Sequence, residues 1–145
     1  MRVMMLLADS AQEVNGKLYV LGGGWNTLGP VPAPSAIAIH IHVPWDQTNR
    51  VHTWRIELHD NDGEPVMVPG PAGEQQIRIE GNLEVGRPPG VSPGSELGVS
   101  LALTIGPLPL AAGGYVWRMW IDDDTTDEWR LPFSVAAPQQ QAPPR

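Results

Sequence analysis

The stretch MRVMMLLADSAQEVNGKLYVLGGGWNTL, residues 1–28, decides the fold because two apolar segments flank the dipeptide Asn15-Gly16. Both central residues of a type I′ turn need a positive φ angle, which Asn and Gly adopt more readily than other residues. The stretch therefore predicts a β-hairpin whose first strand enters the core directly.

Three consecutive glycines, Gly22 to Gly24, follow the second apolar segment. Glycine inside a strand is typical of a β-bulge, a sharp bend or a close backbone approach. A phosphate-binding loop is the alternative, but such a loop opens a helix and residues 25–30 cannot form one. The triplet therefore predicts a bulge or bend that sets the position of Trp25.

The apolar run Val3 to Ala8 follows Met1-Arg2 and superficially resembles a signal peptide. A signal peptide needs an apolar region of about 7 to 15 residues, and a membrane span needs about 20. The run is shorter than either, so it is interpreted as a core strand. We expect the folded chain to begin here, in the cytoplasm.

The glycines and prolines, 16 of each among 145 residues, punctuate segments of alternating polarity. Their spacing of roughly ten residues is typical of an all-β sandwich or barrel. We predict one antiparallel β-sandwich domain over residues 1–135, immunoglobulin-like or jelly-roll, with about nine strands. Residues 136–145 are rich in Pro and Gln and are expected to be disordered.

Residues 36–43 and 53–59 alternate most clearly. Paired antiparallel, they would place Ile41 opposite Trp54 on an apolar face. The same register would put His40 opposite Arg55 on a polar face. Because one register satisfies both faces, the two segments are predicted to be neighbours in one sheet.

The closing segment predicts a second hairpin, in which Trp117 and Phe133 point inward from successive strands. A proline-glycine turn precedes an aromatic strand, an acidic turn follows, and the last strand is apolar with a proline. This arrangement is similar to the closing hairpin of immunoglobulin-like bacterial sandwiches.

Residues Leu6 to Ala11 and Gly16 to Trp25 resemble the opening of a family of small, single-domain bacterial proteins of unknown function. Members continue through a Val-Pro-Trp segment, here 43–45 before Asn49-Arg50. The resemblance implies a sandwich over most of the chain and no activity. Its motifs are turns and core positions, which indicate fold more than function.

The charge and the absence of cysteine exclude several functions. The chain has 9 basic and 16 acidic residues, a net charge of −7, which disfavours nucleic acid and anionic membranes as partners. With no cysteine, it has no disulfide, thiolate metal site or thiol nucleophile.

His40 and His42 are the candidate metal ligands, because alternate residues of a strand project side by side. The pair is similar to the His-x-His of cupins, but no glutamate follows at the cupin spacing. Arg55, the predicted neighbour of His40, would repel a cation, and Glu57 is the acid expected to lie within reach. Two surface histidines are the simpler interpretation.

The six tryptophans give a second set of candidates. Trp54, Trp117 and Trp129 fall on apolar faces and are predicted core residues. Trp120 lies on the opposite, polar face of its strand, while Trp25 and Trp45 lie near turns. An exposed indole can stack on a sugar or anchor a protein interface.

Two acidic turns, Asp60 to Asp62 and Asp122 to Asp124, could bind calcium if they converged at one end of the sandwich. Neither has the spacing of an EF-hand. Side chains that hydrogen bond to their own turn are the alternative.

The sequence favours a non-enzymatic binding or scaffold module that needs no cofactor. The low charged fraction of 17% and the predicted exposure of Trp120 indicate self-association, or another protein partner, through one sheet face. The candidate binding residues are Trp25, Trp45, Trp120, Arg55 and Glu57. The alternatives are a metal-dependent, cupin-like enzyme using His40 and His42, and a carbohydrate-binding module using an exposed tryptophan.

Overall fold

The computed structural model describes residues 1–139, and this part of the chain is all-β. It contains one short 3₁₀ helix, Trp45–Gln47, and no helix long and apolar enough to cross a membrane. The strands are β1 (Arg2–Val14), β2 (Lys17–Gly23), β3 (Thr27–Leu28), β4 (Ser35–Val43), β5 (Val51–Asp60), β6 (Met67–Gly70), β7 (Gly73–Gln76), β8 (Arg78–Glu84), β9 (Leu97–Ile105), β10 (Gly113–Ile121) and β11 (Arg130–Val135). The predicted all-β class is confirmed.

Two sheets face each other across one hydrophobic core. The first has the order β2-β1-β4-β9 and the second β3-β11-β10-β5-β8, while β6 and β7 form a separate small hairpin. The strands pair antiparallel except for β3, which runs parallel to β11. The core contains residues of both sheets, such as Ile39 and Ile41 from the first and Ile56 and Met119 from the second. This is a β-sandwich, as the alternating pattern predicts.

The strand order is that of an immunoglobulin-like sandwich. In that fold the A, B and E strands share one sheet, the C, F and G strands share the other, and the B–C and E–F connections cross between them. Here β1, β4 and β9 occupy the first set of positions and β5, β10 and β11 the second. Tyr115, near the start of β10, donates its hydroxyl to the carbonyl oxygen of Ala111 at 2.6 Å, which forms the tyrosine corner of such domains.

The opening hairpin forms where the sequence predicts it. Asn15 and Gly16 have φ angles of 51° and 78°, and Val14 pairs with Lys17 across the turn. Two positive φ angles at the central positions define the type I′ turn, which matches the twist of the flanking strands.

The glycine triplet forms a bend without a bulge. The register is continuous from the pair Ser10 and Leu21 to the pair Ala8 and Gly23, so no extra residue is inserted. Gly22 has a φ of 61°, and a Cβ atom there would collide with the Asp9 carboxylate. The glycine therefore permits both the backbone conformation and the close approach.

The part of the opening hairpin nearest its Asn15-Gly16 turn packs on the outer face of the first sheet. Ala36 and Ala38 alternate with core residues of β4, so they face away from the core, yet both are buried. They form a second apolar cluster with Ala11, against which Leu18 and Val20 of β2 pack. The hairpin thus covers part of the sheet from which it starts.

The predicted pairing of residues 36–43 with residues 53–59 is wrong. The first segment is β4, which pairs with β1 and β9, and the second is β5, which pairs with β10 and β8 in the other sheet. The connection 44–50 crosses from one sheet to the other. The two apolar faces meet across the core, so they are buried together without sharing hydrogen bonds. His40 is therefore not a neighbour of Arg55.

The closing hairpin and its core residues are as predicted. Trp117 pairs with Leu131 on the adjacent strands β10 and β11. Trp54, Trp117 and Trp129 are all buried. Residues 136–139 form no strand, and the rest of the predicted disordered segment lies outside the described residues.

Candidate functional site

The outer face of the second sheet carries a cluster of charged and aromatic side chains around Trp120. We call Arg55, Glu57, His59, Arg118 and Trp120 the outer-face cluster. Trp120 is half-buried, and the Arg55 Cζ atom lies 4.4 Å from its ring centroid. The Arg118 Cζ atom lies 5.7 Å from the same centroid. A guanidinium at these distances over an indole forms a cation–π contact.

Strand alternation and register bring the cluster together. Residues 55, 57 and 59 of β5 point to the outer face because the residues between them face the core. Antiparallel pairing with β10 then places Arg55 directly opposite Trp120 and Glu57 directly opposite Arg118. Side chains directly opposite in an antiparallel pair are close enough to interact.

Arg55 is held in place from two further directions. Its Nε donates to Glu57 Oε2 at 2.9 Å, and its Nη1 donates to Asp123 Oδ1 at 2.8 Å. A side chain that is already ordered loses less conformational entropy when a partner binds. Arg55 and Trp120 therefore form a preorganised surface.

Glu57 is the buried residue of the outer-face cluster, and its carboxylate contacts Arg55 and His59. Its carboxylate accepts hydrogen bonds from Gln76 Nε2 at 2.7 Å and from Arg55, and its Oε1 lies 3.3 Å from His59 Nε2. Burial alone would raise the pKa of Glu57, but the hydrogen bonds from Arg55, His59 and Gln76 and the charge of Arg55 lower it below its ordinary value. Glu57 is therefore a carboxylate whose oxygens are already engaged.

The cluster borders a depression on the same face. Arg78 and Glu80 of β8 line it and form their own ion pair at 2.9 Å. Trp120 lines the same depression, so an aromatic ring lies beside a charged rim. This combination of aromatic groups and Arg is typical of the central part of protein interfaces.

The structure separates the histidine pair from this cluster. His40 and His42 lie on the outer face of the first sheet, with ring centroids 4.7 Å apart. His40 Nδ1 is 2.9 Å from Ser100 Oγ, and burial, followed by the charge of His42, lowers the pKa of His40. Glu57 belongs to the other sheet and cannot join the histidines.

The acid nearest to the histidines is Glu96, which sequence reasoning did not nominate. Its Oε2 lies 4.0 Å from His42 Nδ1 and 3.3 Å from Arg2 Nη2. A cation held by the histidines would therefore compete with Arg2 for the Glu96 carboxylate. The sequence predicted that Arg55 would oppose a cation here, but in the structure the neighbouring guanidinium is that of Arg2. Among residues 1–139, no three His, Cys, Asp or Glu side chains are grouped to hold a metal ion.

Trp25 and Trp45 lie away from the cluster. Trp25 packs against the core and lines an apolar cavity at one end of the sandwich, and its indole N–H finds no acceptor within the described chain. Trp45 stacks with Arg87, whose Cζ lies 3.9 Å from the ring centroid and whose Nη2 donates to the Trp45 carbonyl oxygen at 2.6 Å. This contact ties the loop after β8 to the 3₁₀ helix.

The two acidic turns do not converge. Asp60 ends β5, whereas Asp122 is hydrogen bonded to Thr53 near the start of the same strand. Seven residues of extended strand separate Thr53 from Asp60, roughly 23 Å. Asp60 Oδ1 accepts from the backbone N–H groups of Asp62 and Glu64 at 2.9 and 3.0 Å, the self-bonded turn that was the alternative.

The structure also contains a buried histidine site that sequence reasoning missed. His52 Nδ1 lies 2.6 Å from Asp122 Oδ2, and its Nε2 lies 2.7 Å from the Gln47 carbonyl oxygen. Burial would raise the pKa of Asp122, but hydrogen bonds from His52 and the Thr53 amide, with the charges of His52 and Arg50, lower it. Alternation along β5 predicts that His52 points inward. Its partners could not be predicted in this way, because Asp122 is distant in sequence and Gln47 lies in the short 3₁₀ helix.

The comparison with protein families agrees with the resemblance in the opening residues. No curated protein matches the chain. A family model described as a family of unknown function, DUF6941, matches residues 3–136. The match covers nearly all of the sandwich, and the chain therefore belongs to this family of unknown function, DUF6941.

Proposed function

We propose that the protein is a non-enzymatic scaffold module that self-associates and presents its outer-face cluster to a protein partner. The observation that carries the proposal is the position of Arg55, whose Cζ atom lies 4.4 Å from the centroid of the Trp120 ring. Tryptophan and arginine are among the residues most enriched at the positions that dominate binding energies at interfaces. The ion pairs of Arg55 with Glu57 and Asp123 hold this pair ready for a partner.

The state of the ionisable groups supports binding rather than catalysis at this face. A general acid or base needs a pKa near the working pH and a free site for the proton. The pKa of Glu57 is lowered, and hydrogen bonds from neighbouring side chains occupy its carboxylate. Asp123 is engaged by Arg55.

Two alternatives from other classes are distinguished by simple measurements. A carbohydrate-binding module would stack a sugar on Trp120, and a glycan array tests it; Arg55 would have to leave the ring face that it covers. A metal-dependent enzyme would use His40 and His42, and elemental analysis of the purified protein tests it. A stoichiometric transition metal would favour the enzyme over the scaffold.

The experiment for partner binding is affinity purification from the native host followed by mass spectrometry, with Trp120→Ala and Trp45→Ala compared with the unaltered chain. Both substitutions remove a half-buried indole that contacts an arginine, so Trp45→Ala is the matched control. We expect a partner that is retained by Trp45→Ala and lost by Trp120→Ala. Equal retention by both variants would overturn the role of the outer-face cluster.

A further inference from the structure

We infer that strand β9 is the self-association surface, and that two copies of the chain pair through their β9 strands in antiparallel orientation. The two four-stranded sheets would then form one continuous sheet of eight strands. This inference rests on the self-association in the proposed function and assigns the contact to a sheet edge, which leaves both outer-face clusters free for partners.

β9 is a long edge strand with one unpaired side. Its nine residues pair with β4 along their whole length, and β9 is the last strand of its sheet. On the other side, no backbone or side-chain group of residues 1–139 hydrogen bonds to the β9 backbone. In an antiparallel ladder, alternate residues direct their N–H and C=O groups to that open side. Such a row of groups is a template for another strand.

The other edges of the two large sheets are protected. Edge strands are usually guarded by charged side chains, by shortness or by bends. β8 carries Arg78, Glu80 and Glu84, and β3 has two residues. β2 starts at Lys17 and ends in the Gly22 bend. β9, with the sequence LGVSLALTI, has no charged residue, no proline and no positive φ angle.

The pattern of β9 is symmetric about its central residue, which fits a second copy of the same strand. With the two Leu101 residues opposite each other, Val99 of one copy faces Leu103 of the other. The residues on the outer face, Gly98, Ser100, Ala102 and Thr104, are all small. Each pair in this register therefore matches apolar with apolar, or small with small.

The charge distribution also fits two copies. Each chain carries a net charge of −7, so association requires a contact where like charges do not meet. The nine residues of β9 are uncharged. Glu96, which directly precedes them, would face Gly106 of the second copy in the register centred on Leu101. No charged side chain of one β9 would therefore meet another in this pairing.

The test compares Leu101→Lys with Ile79→Lys in sedimentation velocity at micromolar concentration. Both residues are half-buried on the inner face of an edge strand, but Ile79 lies on the charged edge β8. In the dimer, Leu101→Lys would place two ammonium groups side by side. We expect the unaltered chain and Ile79→Lys to be dimers and Leu101→Lys to be a folded monomer, with folding checked by circular dichroism.

A second variant keeps the inference testable if Leu101→Lys fails to fold. Because the chain has no cysteine, Leu101→Cys and Ile79→Cys each carry a single thiol. Residues directly opposite in a strand pair have Cβ atoms about 5 Å apart, within reach of a short bifunctional thiol reagent. We expect covalent dimers from Leu101→Cys and none from Ile79→Cys.

The outcomes separate this inference from the proposed function. If the unaltered chain is a dimer but Leu101→Cys is not crosslinked, the β9 contact is wrong while self-association stands. If the unaltered chain is a monomer, self-association and the β9 contact both fall.

Discussion

Arg55 and Trp120 face each other directly across β5 and β10, with the Arg55 Cζ atom 4.4 Å from the centre of the indole ring. The same guanidinium donates to Glu57 and to Asp123, which come from a buried strand position and from a turn. Strands β5 and β10 and the turn that follows β10 therefore fix one half-buried cation–π pair. Such a surface is suited to binding because its side chains are already ordered and lose little conformational entropy when a partner binds.

The first prediction concerns the stability of Trp120 variants. Trp120→Ala removes a half-buried side chain from the outer face, and we expect it to reduce the free energy of unfolding by about 1 kcal/mol. Trp117→Ala removes a buried core residue and should cost about 3–5 kcal/mol. Urea denaturation measures both. Equal losses would mean that Trp120 is a structural residue rather than part of a binding surface.

The second prediction concerns Glu57 and pH. Its pKa is lower in the folded than in the unfolded chain, so the unfolded chain binds the proton more readily. The stabilisation from Glu57 is thus present above the ordinary pKa of 4.5 and is lost as the pH falls through the lower folded value. We expect Glu57→Gln to destabilise the protein by about 2 kcal/mol at pH 7.

The pH dependence gives the control for this prediction. The stability difference between the unaltered chain and Glu57→Gln should shrink in denaturation curves recorded from pH 6 downwards to pH 3. Glu80→Gln, which breaks an exposed ion pair on the same face, should change stability by less than about 1 kcal/mol. A difference between unaltered and Glu57→Gln protein that does not depend on pH would contradict the role of the Glu57 charge.

The third prediction concerns the buried His52. Both of its ring nitrogens face oxygen acceptors, Asp122 Oδ2 and the Gln47 carbonyl. Asp122→Asn replaces a carboxylate with an amide that accepts less strongly, so we expect a loss of about 1–2 kcal/mol in the free energy of unfolding. Asp124→Asn, in the same turn, is the matched control. Thermal unfolding that ranks Asp124→Asn as the more harmful change would refute the assignment.

The fourth prediction concerns two glycines of the opening hairpin. Gly22 and Gly16 both have positive φ angles, but only at Gly22 would a Cβ atom collide with the Asp9 side chain. Gly16→Ala should cost about 1–2 kcal/mol for the left-handed conformation. Gly22→Ala should cost more, because the Asp9 side chain must also move. Chemical denaturation of the two variants checks the order, and the opposite ranking would show that the bend tolerates a side chain.

The local parts of this fold could be predicted from sequence because they depend on neighbouring residues. The turn at Asn15-Gly16 is set by backbone preference, and the inward side of Trp117 is set by alternation along its own strand. The outer position of Trp120 follows from the same alternation. Each of these three predictions depends on a single segment of the chain, either on its turn residues or on its two-residue alternation.

The pairing of β4 could not be predicted in the same way. Alternation shows that Ile41 and Trp54 both face the core, but two strands satisfy that pattern whether they are adjacent in one sheet or opposite in two. The crossing connection decides between these arrangements, and its 3₁₀ helix, Trp45–Gln47, has no strong sequence signal. Because the predicted pairing placed Arg55 beside His40, the sequence predicted neither the contact of His40 with Ser100 nor that of Arg55 with Trp120.

Sedimentation velocity of the full chain at micromolar concentration tests the central claim most directly, because the proposed scaffold self-associates. The account predicts a species of twice the chain mass of 15.7 kDa that persists in the Trp120→Ala variant and is lost in Leu101→Lys. A single species of 15.7 kDa across the micromolar range would contradict it.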